Sequence, residues 1–155
     1  MKIRKVLDVK GTPDVYCITG SATLSVFVKI LLMKGIGCLI VTDDNEQIVG
    51  IVSERDLVKC FGEGMDLTTT KICEVMSTEV VTIPLDADIH TAMDLMVGRK
   101  IRHLPVMSPN GRCVGLVTVR DLLRAMRQAD KDELSTFVRY LERCASDNPV
   151  SQDIA

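Results

Sequence analysis

The chain has 155 residues, of which 46% are hydrophobic and 26% charged, a balance that indicates a soluble globular unit or two small lobes sharing a core. A net charge of −2 provides no positive field for a phosphate backbone, so we expect no nucleic-acid partner. The longest apolar run, 26–33, is interrupted by Lys29 and is far shorter than the roughly 20 residues of a membrane span, so we expect no membrane partner.

The cysteines and the first residues predict the compartment. Residues 1–5 are charged and lack the apolar core of a signal peptide, so we expect a cytoplasmic location with reduced thiols. The six cysteines include no Cys-x-x-Cys pair, and no histidine lies at metal-ligand spacing from them. We therefore interpret most of them as small buried hydrophobic residues and expect no metal site.

The first predicted elements are a short strand at 15–18 and a helix that begins near Ser21 or Thr23. Gly35 is suited to ending this helix, because glycine adopts the left-handed conformation of a helix carboxyl end. The spacing of the apolar residues predicts that one face of the helix packs against a core, through Leu24, Phe27, Val28 and Leu31.

Two β-branched runs at 38–42 and 48–52 follow, separated by turn-forming residues, and they predict a β-hairpin. A helix is expected to begin at Ser53, directly after the second run. Residues 63–70, which include Gly64 and three consecutive threonines, read as a linker.

The same order of elements is predicted in the second half of the chain. Asp86 or Asp88 is the expected N-cap of its first helix. The predicted elements are a strand at 80–83, a helix at about 87–98, a hairpin of 103–107 and 112–117, and a helix from Thr118.

A further helix is predicted at 131–145, where apolar residues recur at helical spacing: Leu134, Phe137, Val138 and Leu141. This stripe must be buried, and two arrangements remain open. The helix either caps its own lobe or contacts a second subunit.

The two halves are copies of one sequence unit. An offset of 65 residues aligns 15–58 with 80–123 without a gap, and the identical residues fall in strands, turns and helix starts. Two copies of a β-α-β-β-α unit predict a pseudo-twofold arrangement around a shared buried face. Upstream, an offset of 66 matches three further residues and predicts one extra residue in the first copy near 11–14: Lys5, Asp8 and Val9 with Lys71, Glu74 and Val75.

The most informative motif is Gly-hydrophobic-Val-Ser/Thr-x-Arg-Asp, at 50–56 and again at 115–121. In one interpretation it is a capping box, in which the hydroxyl bonds a free helix N–H and the acid reaches back. In the other it is a binding site. A carboxylate in the first helical turn can accept both hydroxyls of a ribose diol, and a helix start with Arg55 or Arg120 suits phosphate. Its recurrence in both copies favours a site.

With Glu74-Val75-Met76 and the segment 101–106, these motifs resemble tandem cystathionine β-synthase-type (CBS) domains over about residues 5–127. The resemblance implies an α+β fold of two β-α-β-β-α motifs packed with pseudo-twofold symmetry, plus a C-terminal helix. The implied divisions are 5–62 for motif 1, 63–70 for the linker, 71–128 for motif 2, and 129–155 for an amphipathic helix and tail.

The resemblance also implies two clefts that bind AMP, ADP, ATP, S-adenosylmethionine or NAD-type ligands, and a homodimer. Ser53 and Asp56 would then serve one cleft, and Thr118 and Asp121 the other. Arg102 and His103 match positions that often approach the phosphate, although His103 could equally be a satisfied strand histidine. Gly37 and Cys38 replace this pair in the first copy, so one cleft is expected to lack both cations.

From these observations we predict a regulatory sensor that binds an adenosyl ligand, requires no cofactor and acts through a regulated partner protein. We predict no catalytic residues, because no nucleophile and base lie at a recognisable catalytic spacing. The alternative is a structural or protein-interaction module with no small-molecule ligand.

Overall fold

The computed structural model describes residues 1–11 and 15–146 and confirms the predicted α+β architecture of two three-stranded sheets with helices. The first half contains α1 (Ile3–Lys10), β1 (Cys17–Thr19), α2 (Leu24–Lys34), β2 (Cys38–Thr42), β3 (Ile48–Ser53) and α3 (Glu54–Gly62). A 3-10 turn at Ile72–Glu74 follows. The second half contains β4 (Ile83–Pro84), α4 (Ile89–Arg99), β5 (His103–Met107), β6 (Cys113–Thr118) and α5 (Val119–Ser146).

The two sheets have the same topology. In each, the first strand pairs parallel with the second, and the second pairs antiparallel with the third. Both hairpins carry an irregularity at the same repeat position, between Val41 and Thr42 and between Val106 and Met107. The repeated sequence therefore produces a repeated backbone.

Helix ends lie at residues that suit a cap, although the Thr23 side chain makes no capping hydrogen bond. Thr23 is the N-cap of α2 and Asp88 that of α4, where the Asp88 carboxylate accepts a hydrogen bond from the His90 backbone N–H. Gly35 ends α2 at φ 63°, the left-handed conformation that glycine adopts without steric cost. In the second copy Lys100 takes this conformation at φ 54°.

Each sheet packs on its own apolar cluster, and each cluster is joined by a segment that lies outside its β-α-β-β-α unit. The first cluster includes Phe27, Leu39 and Val52 together with Ile72 from the 3-10 turn. The second contains Leu104 and Val117 together with Ile3, Val6 and Leu7 from α1. Helix α1 thus packs on the second sheet, and the 3-10 turn at the start of the second motif packs on the first.

Backbone hydrogen bonds hold α1 against the second motif and the 3-10 turn against the first. The Ile3 N–H donates to the Ala87 carbonyl at 2.9 Å, and the Ile72 N–H donates to the Ala22 carbonyl at 2.9 Å. Both isoleucines are fully buried, and burying such a side chain contributes about 1.5–3 kcal/mol.

The upstream alignment from sequence is wrong. Lys2 forms an isolated backbone β-bridge with Asp88, and Lys71 forms one with Thr23. Residues 2–7 therefore match 71–76, and the offset there is 69 residues. The first copy therefore carries four extra residues between Leu7 and Val15 rather than one. The chance matches of Lys5, Asp8 and Val9, of which Asp8 is only similar to Glu74, misled the alignment, because buried packing positions define the repeat here.

The motif glycines depend on these segments. A Cβ at Gly115 would lie 2.8 Å from Leu7 Cδ2, and a Cβ at Gly50 would lie 2.5 Å from Met76 Sδ. Leu7 and Met76 occupy equivalent positions at the corrected offset, so a side chain crosses closely over each third strand and would have to shift to admit a Cβ at either glycine.

The predicted helix at 131–145 is the distal half of α5, which runs unbroken over 28 residues. Leu134 is 65% exposed and Val138 45% exposed, so these two residues of the stripe do not cap their own lobe. The side chains of Phe137 and Leu141, and the tail 147–155, lie outside the described residues. Within residues 1–11 and 15–146, no helix is both long and apolar enough to cross a bilayer.

Candidate functional site

The two repeated motifs place a hydroxyl and a carboxylate at the starts of α3 and α5. The Asp121 carboxylate accepts hydrogen bonds from the Thr118 N–H and hydroxyl, both at 2.9 Å to Oδ2. Asp56 Oδ2 accepts from the Ser53 N–H at 2.8 Å and its hydroxyl at 3.1 Å. Each motif therefore forms the predicted capping arrangement, which also holds each carboxylate in one place at the helix start.

A cavity of about 260 Å³ lies beside the start of α5, close to the size of a small-molecule site. We call it the Thr118 cleft. Its walls come from both motifs: Ile36, Gly37 and Cys38 from the first, and His103, Thr118 and Arg120 from the second. A helix start of one motif thus faces the segment that enters β2 of the other.

The start of α3 faces the second motif in the equivalent way. Arg55 Nη1 donates to the Lys100 carbonyl at 3.2 Å, so the Ser53 motif lies next to the segment that leads through Arg102 into β5. We call this region the Ser53 cleft. Arg102, an exposed residue, belongs to the segment facing Ser53, whereas Gly37 lines the Thr118 cleft.

His103 is placed differently from our expectation. It pairs with Thr118 across β5 and β6, and it lines the same cavity as Gly37. The expectation that the Gly37 side lacks this histidine is therefore wrong, because antiparallel pairing brings His103 beside the Thr118 motif of its own sheet. Burial lowers the His103 pKa below its usual value, so the ring is neutral at neutral pH.

Charged neighbours of His103 act in both directions on its pKa. The negative charges of Glu54 and Asp121 raise it, and the positive charges of Arg102 and Lys10 lower it further. Desolvation outweighs the two carboxylates. His103 therefore contributes a polar ring rather than a fixed cation to the cleft.

Lys10 also contacts the site, although it was not predicted from the sequence. Its ammonium group donates to Asp121 Oδ2 at 2.9 Å and to the Leu116 carbonyl at 2.8 Å. Lys10 lies among the extra residues of the first copy and has no counterpart in the second, so the repeat gave no reason to consider it. The pattern Lys-Ile-x-x-Val, shared by 2–6 and 71–75, is the signal that would have placed α1 against the second motif.

The thiols only partly follow their predicted role. Cys38 and Cys60 are buried, and burial with the nearby Asp56 charge raises the Cys38 pKa to about 12, so this thiol is unreactive. Cys17 and Cys73 are exposed instead. In the part of the chain that the structure describes, no three His, Cys, Asp or Glu side chains cluster as a metal site requires.

A wider groove of about 730 Å³ follows α5 past Arg120, Arg124, Arg127 and Lys131. The described residues that line it all belong to this one helix, so they do not enclose a small molecule as the Thr118 cleft does.

Comparisons with known proteins identify the relatives of this fold. An uncharacterized 17.7 kDa protein of Acidianus ambivalens is 32% identical over 75% of this chain and 70% of its own length. The mitochondrial CBS domain-containing protein CBSX3 of Arabidopsis thaliana is 32% identical over 74% of this chain, which spans 58% of that relative.

Solved structures agree. A CBS-domain-containing protein of Agrobacterium tumefaciens superposes with a TM-score of 0.75 at 30% identity, covering 81% of this chain and 92% of that one. CBSX2 in complex with AMP gives 0.66 at 28% identity, covering 77% and 93%. The cytosolic domain of the Mg²⁺ channel MgtE in complex with ATP gives 0.61 at 29% identity, covering 72% and 45%.

The CBS domain family matches this chain twice, over residues 6–63 and 72–128. These ranges contain both hairpins, both helix-start motifs and the segments that line the clefts. The chain therefore belongs to the CBS domain family, as a tandem pair of these domains.

Proposed function

We propose that this CBS pair is a regulatory module that binds an adenosyl ligand such as AMP, ATP, NAD or S-adenosylmethionine and passes its occupancy to a partner protein. The observation that carries the proposal is the Thr118 cleft, a cavity built from both motifs with a carboxylate fixed beside it. Two similar structures, CBSX2 and the MgtE cytosolic domain, were solved with AMP and ATP.

The polar contacts would come from the helix starts. In the Thr118 cleft, Asp121 would accept the ribose hydroxyls, while Thr118 and Arg120 would contact a phosphate. In the Ser53 cleft, Ser53, Arg55 and Asp56 would take these roles, with Arg102 near the phosphate. We retain His103 as a polar wall residue of the Thr118 cleft, because its ring lies there and is neutral.

The adenine ring would contact the apolar part of the cleft. Ile36, Ile40 and Leu116 line the cavity and come from both motifs. An aromatic base between them would bury apolar surface, worth about 25 cal/mol per Å². A ligand held this way joins the two motifs, so its binding favours one relative position of them.

Such a ligand shifts a conformational equilibrium only by its different affinities for the two states, typically about 1–3 kcal/mol. We propose a binding role without catalysis, since the described side chains around the cleft offer contacts but no reacting pair. Exposed thiols at Cys17 and Cys73 favour a reducing compartment, so we propose a cytoplasmic location.

Calorimetric titration of the full chain with AMP, ATP, NADH and S-adenosylmethionine tests the proposal. We expect at least one ligand to bind, with a stoichiometry of one or two per chain. If none of the four binds or raises the unfolding temperature, the sensor function is refuted.

The second candidate is a protein-interaction module without a small-molecule ligand. The exposed Leu134 and Val138 on the distal half of α5 favour it. In that case the helix-start motifs act only as caps, and the same titrations give no heat.

A further inference from the structure

The two motifs satisfy one backbone carbonyl in different ways. In the first motif, Ile51 and Ser77 exchange two backbone hydrogen bonds, of 3.0 and 2.9 Å. The repeat places Leu116 where Ile51 lies. The Leu116 carbonyl accepts a hydrogen bond from the Lys10 ammonium group at 2.8 Å, so a charged side chain replaces a backbone partner.

The cause lies in the segment that crosses each sheet. The 3-10 turn ends at Glu74 and the chain then pairs with β3, whereas α1 continues to Lys10, which lies among the extra residues of the first copy. The second motif is therefore reached by the end of a helix. A long basic side chain spans the gap to β6 and brings a positive charge to Asp121.

The Lys10–Asp121 pair is partly withdrawn from water. The Lys10 side chain is 31% exposed and the Asp121 side chain 14% exposed, and their charged atoms lie 2.9 Å apart. Charges in such a setting are screened less than surface charges, so the ammonium group acts on the neighbouring cleft as well as on its partner.

The other charges around the Thr118 cleft determine how much the Lys10 charge changes the net charge there. Gly37, which lines the cleft, occupies the repeat position of Arg102, and a Cβ there would lie 2.5 Å from Glu54 Oε1. A carboxylate thus covers the position where the other copy has a guanidinium. Glu54 and Asp121 are negative, Arg120 and Arg102 are positive and His103 is neutral, so these charges balance without Lys10 and are net positive with it.

We propose that Lys10 sets the preference of the Thr118 cleft for phosphorylated adenosyl ligands over the nucleoside. This inference rests on the proposed function and assigns the specificity of one of its two sites. Lys10 supplies a positive charge that Gly37 does not, and it does so from the end of α1, through its contact with Asp121 beside the cleft.

Lys10 has two effects on binding, and they separate in the comparison of AMP with adenosine. By bonding Asp121 Oδ2 it competes with the ribose hydroxyls, which are the same in both ligands. Its charge attracts only the ligand that carries phosphate. The ratio of the two dissociation constants therefore isolates the charge.

The experiment uses the full chain with Asp56→Ala, which disables the ribose contact of the Ser53 cleft. AMP and adenosine are titrated into this protein and into the same protein with Lys10→Met. We expect the AMP preference to fall about five- to tenfold with Lys10→Met and to persist with Lys10→Arg. Lys5→Met is the matched control, since it removes the same charge from an exposed position of α1.

Lys10→Gln guards against a merely structural effect, because its amide can still donate toward Leu116 without the charge. We expect it to lower the AMP preference as Lys10→Met does. If both variants weaken the two ligands equally, or leave the ratio unchanged, Lys10 does not determine specificity although the chain still binds adenosyl ligands. If the parent protein binds neither ligand and wild type binds none, the proposed function itself fails.

Discussion

Single residues at the two helix starts carry two roles at once. Asp56 and Asp121 cap α3 and α5 and are also the proposed ribose contacts. An N-terminal cap contributes about 0.5–2 kcal/mol to stability, and a hydrogen bond to a charged group about 1.5–3 kcal/mol to binding. The two roles are therefore measurable separately.

We expect Asp56→Ala and Asp121→Ala each to weaken AMP binding at least about tenfold at its own cleft while the protein unfolds cooperatively. Calorimetric titration and denaturant unfolding check this. Asp86→Ala is the control, because Asp86 is 67% exposed and pairs with Arg4 at the surface. If the AMP affinity is unchanged in both cleft variants, the two carboxylates cap their helices but do not bind AMP.

His103 predicts a pH dependence of stability. Its pKa in the folded protein lies below the usual value of 6.5, mainly because of burial, while Glu54 and Asp121 oppose the shift and Arg102 and Lys10 add to it. The unfolded chain then binds more protons, so the contribution is full above about pH 6.5 and is lost as the pH falls through the folded pKa.

We expect the free energy of unfolding to decrease less between about pH 7 and pH 5 in His103→Gln than in wild type. His90→Gln is the control, since the His90 side chain is 74% exposed. Denaturant unfolding at several pH values measures both slopes. Equal slopes in wild type and His103→Gln would show that burial does not shift this histidine.

At the level of elements, a prediction follows from the packing of α1 on the second sheet and of the 3-10 turn on the first. Ile3 precedes β1 but packs in the core of the second sheet, and Ile72 precedes β4 but packs in the core of the first. Each truncation to alanine should cost about 2–5 kcal/mol, because it leaves a cavity in a closed core.

We expect Ile3→Ala to lower hydrogen-exchange protection first in β5 and β6, and Ile72→Ala to lower it first in β2 and β3. The two variants serve as controls for each other. Loss of protection in the sequence-adjacent sheet in either variant would contradict the exchanged packing.

Sequence was sufficient for both hairpins, for α2 to α4 and for the helix-start motifs, because capping residues and apolar spacing are local signals. The first strand of each sheet was displaced, since 15–18 and 80–83 were predicted and Cys17–Thr19 and Ile83–Pro84 are observed. The packing of α1 was missed, since no local signal tells which sheet Ile3 will cover. The continuity of α5 could have been predicted, because neither Gly nor Pro occurs between Val119 and Ser146. The walls of the Thr118 cleft could not, because they depend on how the two motifs meet.

At the level of the whole molecule, repeat-equivalent helix positions expose large apolar side chains. Leu32 is 79% exposed and its equivalent Val97 77%, while Val58 is 71% exposed and its equivalent Leu123 50%. The same surface thus appears on both motifs, as a symmetric contact between two copies would require. We propose a homodimer that buries it.

We expect light scattering to give a dimer for wild type and a monomer for a chain carrying Leu32→Glu and Val97→Glu. Met65→Glu, outside these helices, should leave the dimer intact. A chain ending at Asp130 tests the distal half of α5 separately. A wild-type monomer would refute the homodimer, and a dimer that survives both glutamates would exclude the α2 and α4 faces.

The position of Ile3 also has a consequence for synthesis on the ribosome. Helix α1 is made before both sheets, yet the sheet that covers Ile3, Val6 and Leu7 is complete only when β6 has emerged. At about 5–20 residues per second the nascent helix waits on the order of ten seconds with its apolar face exposed to water and chaperones. Helix α1 is thus made before the first motif but docks only after the last strand of the second has emerged.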